Sequence, residues 1–278
     1  MADTPGDTHD PFHDEEEDEA LAPRERPMAF LDHLEELRWV FVKSAGAFML
    51  CAILIGVFLK KFNQVLLWPL ESLKDEYPSL ALDLGTVSVM ESFTVVIQMC
   101  VVGGLIMSAP LLLMFIGQFI APALKESELK LVAPGCVAAG VLFLLGICFS
   151  FFLLVPGTIR VSIELNELFG FITRWTPGSY YGTLIWLTLG VGAAFEFPLL
   201  IVIMVHLGLV TSEKLKSWWR HAIIVSFVVA AIVTPTPDPI NQSILALSLY
   251  FLYWISILGA KRVEKRKREQ AEAEGFED

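Results

Sequence analysis

The chain has 278 residues, 55% of them hydrophobic and 18% charged, with a mean hydropathy of +0.60; this excludes an ordinary soluble globular domain. The net charge of −11 gives no support to a nucleic-acid partner and is concentrated at one end: residues 1–27 hold ten Asp or Glu against Arg24 and Arg26. Long apolar stretches separated by short charged islands describe a membrane protein whose charged islands are loops.

In chain order, residues 1–27 lack the basic start and apolar core of a signal peptide. They are expected to be a disordered, acidic cytoplasmic tail, too polar to bury a core. Phe30–Arg38 reads as an amphipathic lead-in, with Phe30, Leu34 and Leu37 on one stripe and Asp32 and Glu36 on a common face four residues apart. Four spans follow on hydropathy: Trp39–Leu59, Thr94–Ile120, Leu131–Val155 (stopping at Pro156-Gly157) and Tyr181–Leu207. Glycines and Pro110 or Pro198 inside them are tolerable where neighbouring helices re-satisfy the backbone.

The last two apolar stretches are short. Ala222–Val233 covers about 18 Å and Ile244–Gly259 about 24 Å at 1.5 Å per residue, both under the ~30 Å hydrocarbon core. Thinned bilayer accommodates two short spans, and the basic clusters beyond both ends of the pair favour spans over a re-entrant hairpin. With both termini cytoplasmic, fifteen Lys and Arg fall on the cytoplasmic side and five on the outer side, as the positive-inside rule requires. The expected fold is all-α: six transmembrane helices over residues 28–259, the fifth and sixth short, followed by a charged cytoplasmic tail at 260–278.

No phosphate-binding loop, zinc-ligand pair or nucleophile elbow is present, so no enzyme activity, metal or cofactor is expected. Cys51, Cys100, Cys136 and Cys148 lie in apolar stretches with no CxxC spacing and read as small buried hydrophobes. What stands out is carboxylates. Asp32 and Glu36 precede the first span, and Glu126 and Glu128 lie in the loop before the third, on the same side; each set reads either as a solvated surface or, together, as an acidic patch. Glu196, in Phe195-Glu-Phe-Pro198, falls mid-span, where a charge costs about 2.5–3.5 kcal/mol on insertion scales and so has to be protonated, paired or open to water. Asp238, in Thr234-Pro-Thr-Pro-Asp-Pro239, either caps the sixth helix or acts directly.

His33-Leu-Glu-Glu-Leu-Arg38, Phe119-Ile-Ala-Pro-Ala-Leu124 with Glu128 after it, Phe195-Glu-Phe-Pro198 and the Thr-Pro…Asp238 turn, in this order from about Phe30 to Gly259, resemble the TatC family of twin-arginine translocase subunits. The resemblance implies a concave, cup-like bundle and a non-enzymatic receptor and core of a translocase. Such a receptor binds twin-arginine signal peptides at its cytoplasmic face and exports folded proteins with the protonmotive force. It assigns signal binding to Glu36 and Glu128, with Arg38 in the same motif, and marks Glu196 as an intramembrane functional residue on the concave face. It implies docking of single-span TatA or TatB-type partners on helices five and six, where Thr234, Asp238 and Gln242 lie. Pro69 and Phe93 match residues of the outer side. A homo-oligomer within a larger complex in the cell membrane is implied as well. Trp39 and Gln98 stand where the family often carries bases.

Two rivals compete with a receptor. A proton-coupled secondary transporter using Glu196 would show broken helices at matching places of two repeats. An intramembrane enzyme would need a nucleophile–base set.

Overall fold

The structure is a computed structural model that describes residues 30–74, 76–78, 84–121, 126–206, 208–234 and 238–274. The expected acidic tail 1–27 lies outside these residues, as do the side chains of Asp32, His33, Glu126 and Glu128. The described elements are α1 (Phe30–Val57), α2 (Leu59–Glu71), α3 (Val89–Ile120), α4 (Glu126–Phe149), a π-helical turn (Ser150–Leu154), α5 (Val155–Phe169), α6 (Pro177–Ala194), α7 (Phe197–His206), α8 (Ser212–Ser217), α9 (Trp219–Val233) and α10 (Pro239–Glu274). No strand occurs among them.

Five continuous segments are long and apolar enough to cross a bilayer, namely 34–57, 89–120, 132–169, 177–206 and 239–265; α9 is a shorter apolar helix of 15 residues. This is a multi-pass membrane protein, and the sixfold reading is compatible with it. Lipid as the solvent also explains α1. Phe41, Leu50 and Val57 are more than 70% exposed, and α1 buries only a narrow stripe, including Cys51 and Ile55, which an aqueous surface would not tolerate.

The chain passes back and forth between two ends. The first end holds the start of α1, the α3–α4 junction, α8 and the far part of α10; the second holds α2, α5 and the α9–α10 turn. At the second end a cap is laced together by hydrogen bonds. Tyr180 Oη donates to Leu66 O at 2.6 Å, Tyr181 Oη donates to Asn63 Oδ1, and Glu91 Oε1 accepts from the Gly178 N–H at 2.9 Å. The main core runs along α6, where Leu187 and Val191 are fully buried against Leu154, Ile163 and Leu245.

Close approach of α1 and α3 needs a glycine. A Cβ on Gly104 would lie 2.8 Å from Ala52 backbone atoms, so the backbones are in direct contact there.

Four expectations change. The third span does not stop at Pro156-Gly157: the helix continues to Phe169. The π-helical turn just before it shifts the hydrogen-bond register, the Val155 N–H donating to Ser150 O, and Pro156 then sits in the first turn of α5, where a missing N–H costs nothing. The first span, expected to run to Leu59, ends at Val57, and Leu59 begins a separate helix, α2. The apolar stretch Ile244–Gly259 lies within a 36-residue helix, so shortness belongs to that stretch and not to the helix. Of the cysteines, Cys51 is buried whereas Cys148 is exposed.

Candidate functional site

At the first end, α1 and α3 enclose an open cavity of about 420 Å³ walled by Glu35, Glu36, Trp39, Lys43, Gln118 and Phe119. Glu36 is half-buried in it, while Glu35 and Lys43 are exposed. The wall joins two sequence motifs more than 80 residues apart, because α1 and α3 pack side by side and both have their polar ends here. Arg38 is exposed and is not part of the wall. Glu128 belongs by its backbone to the first turn of α4, at the same end of the bundle; its side chain lies outside the described residues.

Lys43 and Gln118 were not singled out from the sequence. Lys43 stands seven residues after Glu36, two helical turns along one face, and that spacing was the available signal. The cavity is therefore amphoteric: two carboxylates and one ammonium on α1, with an aromatic ring and an amide from α3.

Glu196 is not mid-helix. Helix α6 ends at Ala194 and α7 begins at Phe197, leaving Phe195 and Glu196 in a turn. Pro198 accounts for the break, since it has no N–H for the Ala194 carbonyl and its ring crowds that oxygen. The chain re-enters a helix through Leu199 and Leu200, whose N–H groups donate to Glu196 O at 3.0 and 3.2 Å. The Glu196 side chain is half-buried, and its buried Oε1 has no hydrogen-bond partner among the described residues. An unpartnered acidic oxygen at a helix break within an apolar span is uncommon, since buried polar atoms usually find a partner.

At the second end, Asp238 starts α10: Oδ1 accepts from the Ile240 N–H at 3.0 Å and Oδ2 from the Asn241 N–H at 3.1 Å. Thr234 ends α9, its hydroxyl donating to Ala230 O at 2.8 Å. Both are buried. Gln242 is half-buried, and its Nε2 reaches Phe227 O at 3.4 Å, between α9 and α10. Pro69 is fully buried inside α2, whereas Phe93 is 62% exposed at the start of α3. The residues thus fall into three places: a cavity at the first end, a helix break in the middle and helix caps at the second end.

The family model "Sec-independent protein translocase protein (TatC)" matches residues 32–247. The chain is 31% identical over 237 residues to the Sec-independent protein translocase protein TatC of Synechocystis, covering 82% of this chain and 87% of that one. It is 30% identical to the TatC protein of Carboxydothermus hydrogenoformans, covering 87% and 97%. The fold is similar to a crystal structure of the twin arginine translocase receptor TatC, with a TM-score of 0.67 at 28% identity over 84% of this chain and 99% of the other.

Proposed function

The chain belongs to the TatC family of Sec-independent protein translocase proteins, and from that premise we propose that it is the receptor and core subunit of a twin-arginine translocase. In this reading it binds the signal peptide at its first end, through Glu36 and Glu128, and acts without chemistry of its own. The observation that carries the reading is the cavity shared by Glu36 and Phe119, with the first turn of α4, which contains Glu128, at the same end.

The chemistry suits two adjacent arginines. A guanidinium is a planar fork that pairs bidentately with a carboxylate, whereas a lysine ammonium is a point charge. Each charge-assisted contact in a half-desolvated site contributes about 1.5–3 kcal/mol, so two hold a signal only moderately. The signal's apolar stretch supplies the rest against the membrane-facing helices, and release of cargo stays possible.

The bases support an orientation: the first end carries Lys43, Lys214, Lys216, Arg220, Lys261 and Arg262, in keeping with the cytoplasmic face of a cell membrane. A single-span TatA or TatB-type partner docks in this reading on α9 and α10 near Gln242, where Val228, Ile232, Leu247 and Phe251 are exposed. The protonmotive force drives transport, and Glu196 is its membrane-embedded acid. A proton-coupled transporter of small solutes is the weaker reading. That class uses broken helices in pairs at matching places of two repeats, and the sequence shows no such pair of halves.

The test is photo-crosslinking of a twin-arginine signal peptide to membranes containing the full chain, comparing Arg-Arg with Lys-Lys peptides in wild type, Glu36→Ala and Glu128→Ala. Loss of labelling with Lys-Lys and in either variant is the expected result; equal labelling throughout sinks the receptor reading.

A further inference from the structure

Helices α7 and α9 stand apart over a floor made by α10, leaving an open slot of about 270 Å³. Its walls are Phe197 and Ile201 of α7 and Val225 and Val229 of α9, and Leu249 and Tyr253 line its floor. Along α9 the slot runs from Trp218 to Val229. At 1.5 Å per residue this is about 16 Å.

The mouth of the slot, at the first end, has the opposite character. Trp218 and His221 line it. The Lys214 ammonium lies 5.8 Å over the Trp218 ring, and the Arg220 guanidinium lies 5.3 Å over the Trp219 ring. Lys216 is exposed beside them, and Glu213 is the acid of this stretch. Adjacent tryptophans mark the level where a bilayer meets water. The slot therefore starts next to cations that flank its mouth and descends as a mostly apolar trough, with Ser226 as a polar residue of its lining. Its wall α9 has 15 residues, about 22 Å, against a hydrocarbon core of ~30 Å, so the bilayer beside it has to thin.

We propose that this slot is a binding site for one anionic phospholipid, its acyl chain lying between α7 and α9 and its phosphate held by Lys214, Arg220 and the neighbouring bases. Charge selects the headgroup, since basic pockets between spans take acidic lipids. A lipid drawn in here also covers the flank of the short helix. The site is separate from the cavity at Glu36.

The test uses the full chain in phosphatidylcholine nanodiscs containing phosphatidylglycerol with a photoreactive acyl chain, against the same label on phosphatidylcholine. Phosphatidylglycerol should label peptides from 197–206 and 219–233 in preference, by about fivefold for each base that contributes. Lys214→Gln with Arg220→Gln should bring labelling down to the phosphatidylcholine level. Val225→Trp, which fills the trough, should remove labelling by both lipids. The glutamine pair leaves the apolar packing untouched and so decides the matter even where Val225→Trp does not fold. Equal labelling by the two lipids means ordinary boundary lipid and overturns the proposal. So does a disulfide between two copies bearing Val225→Cys that excludes the label, which gives the slot to a second copy.

Discussion

Glu264 grips Ser212 with both carboxylate oxygens: Oε1 accepts from the Ser212 N–H at 2.8 Å and Oε2 from the Ser212 hydroxyl at 2.5 Å. The contact ties the far part of α10 to the start of α8, and the Tyr253 hydroxyl adds a second tie to Leu215 O at 2.6 Å. Ser212 is 3% exposed, so its N–H has no ready substitute partner in water. Glu264→Ala is expected to cost about 1–3 kcal/mol of local stability. Hydrogen exchange over 212–217 in detergent should rise with the Ala variant and less with Glu264→Gln, whose amide oxygen keeps one acceptor. Unchanged exchange would mean that α8 is held by packing alone.

For the cavity at the first end, Glu36→Ala is expected to weaken a twin-arginine peptide by about 10- to 150-fold, the equivalent of one charge-assisted pair at 1.5–3 kcal/mol. Lys43 shares the wall and repels an incoming guanidinium. Lys43→Gln should tighten binding by about two- to fivefold at low salt, because an exposed charge at this range is worth under ~1 kcal/mol and is screened. Peptide titration at two ionic strengths reads both effects. A Lys43→Gln variant that binds more weakly at both would show the lysine to be part of the recognition surface.

Glu196 offers a separation of stability from function. Its Oε1 is buried without a partner among the described residues, so the carboxyl is not repaid by hydrogen bonding. Glu196→Leu should therefore leave thermal stability equal or higher, by up to about 1–3 kcal/mol, while export falls. Glu196→Gln tests ionisation alone. A destabilised Leu variant would reveal a bond that the fold depends on and would return Glu196 to a structural role.

The long spans, the place of Glu36 at the first end and the cap at Asp238 were legible because each rests on local pattern: apolar length, helical spacing, or an acid before a helix. Pro198 was legible as a residue but not as a break, since prolines such as Pro110 and Pro134 sit inside continuous helices here. Whether a proline interrupts depends on what neighbouring helices offer the freed carbonyl. The π-helical turn at Ser150–Leu154 is a change of hydrogen-bond register with no composition of its own. The Glu264–Ser212 pair spans 52 positions, and nothing local to either residue announces the other.

The cap at Asp238 makes a quantitative claim about a residue that also matches a family motif. Two backbone N–H groups at the start of α10 depend on its carboxylate. Asp238→Ala should lower stability by about 0.5–2 kcal/mol, and Asp238→Asn or Asp238→Ser should recover most of that. If the side chain serves only as a cap, export should track stability across the three variants. Export that fails with Asn or Ser at restored stability would assign Asp238 a contact with a partner as well.

α5 and α10 come close at Gly157 and Asn241. A Cβ on Gly157 would lie 2.4 Å from Asn241 Oδ1, and Asn241 is 4% exposed, so its side chain has little room to retreat. Gly157→Ala should then force α5 and α10 apart and cost about 1–3 kcal/mol, the usual range for overpacking. Truncating the neighbour removes the obstacle. In the double variant Gly157→Ala with Asn241→Ala the penalty should shrink, giving a coupling energy of about 0.5–3 kcal/mol in a double-mutant cycle of thermal unfolding in detergent. Additive penalties would show that the clash is relieved by backbone movement instead, and that Asn241 does not set the distance between the two helices.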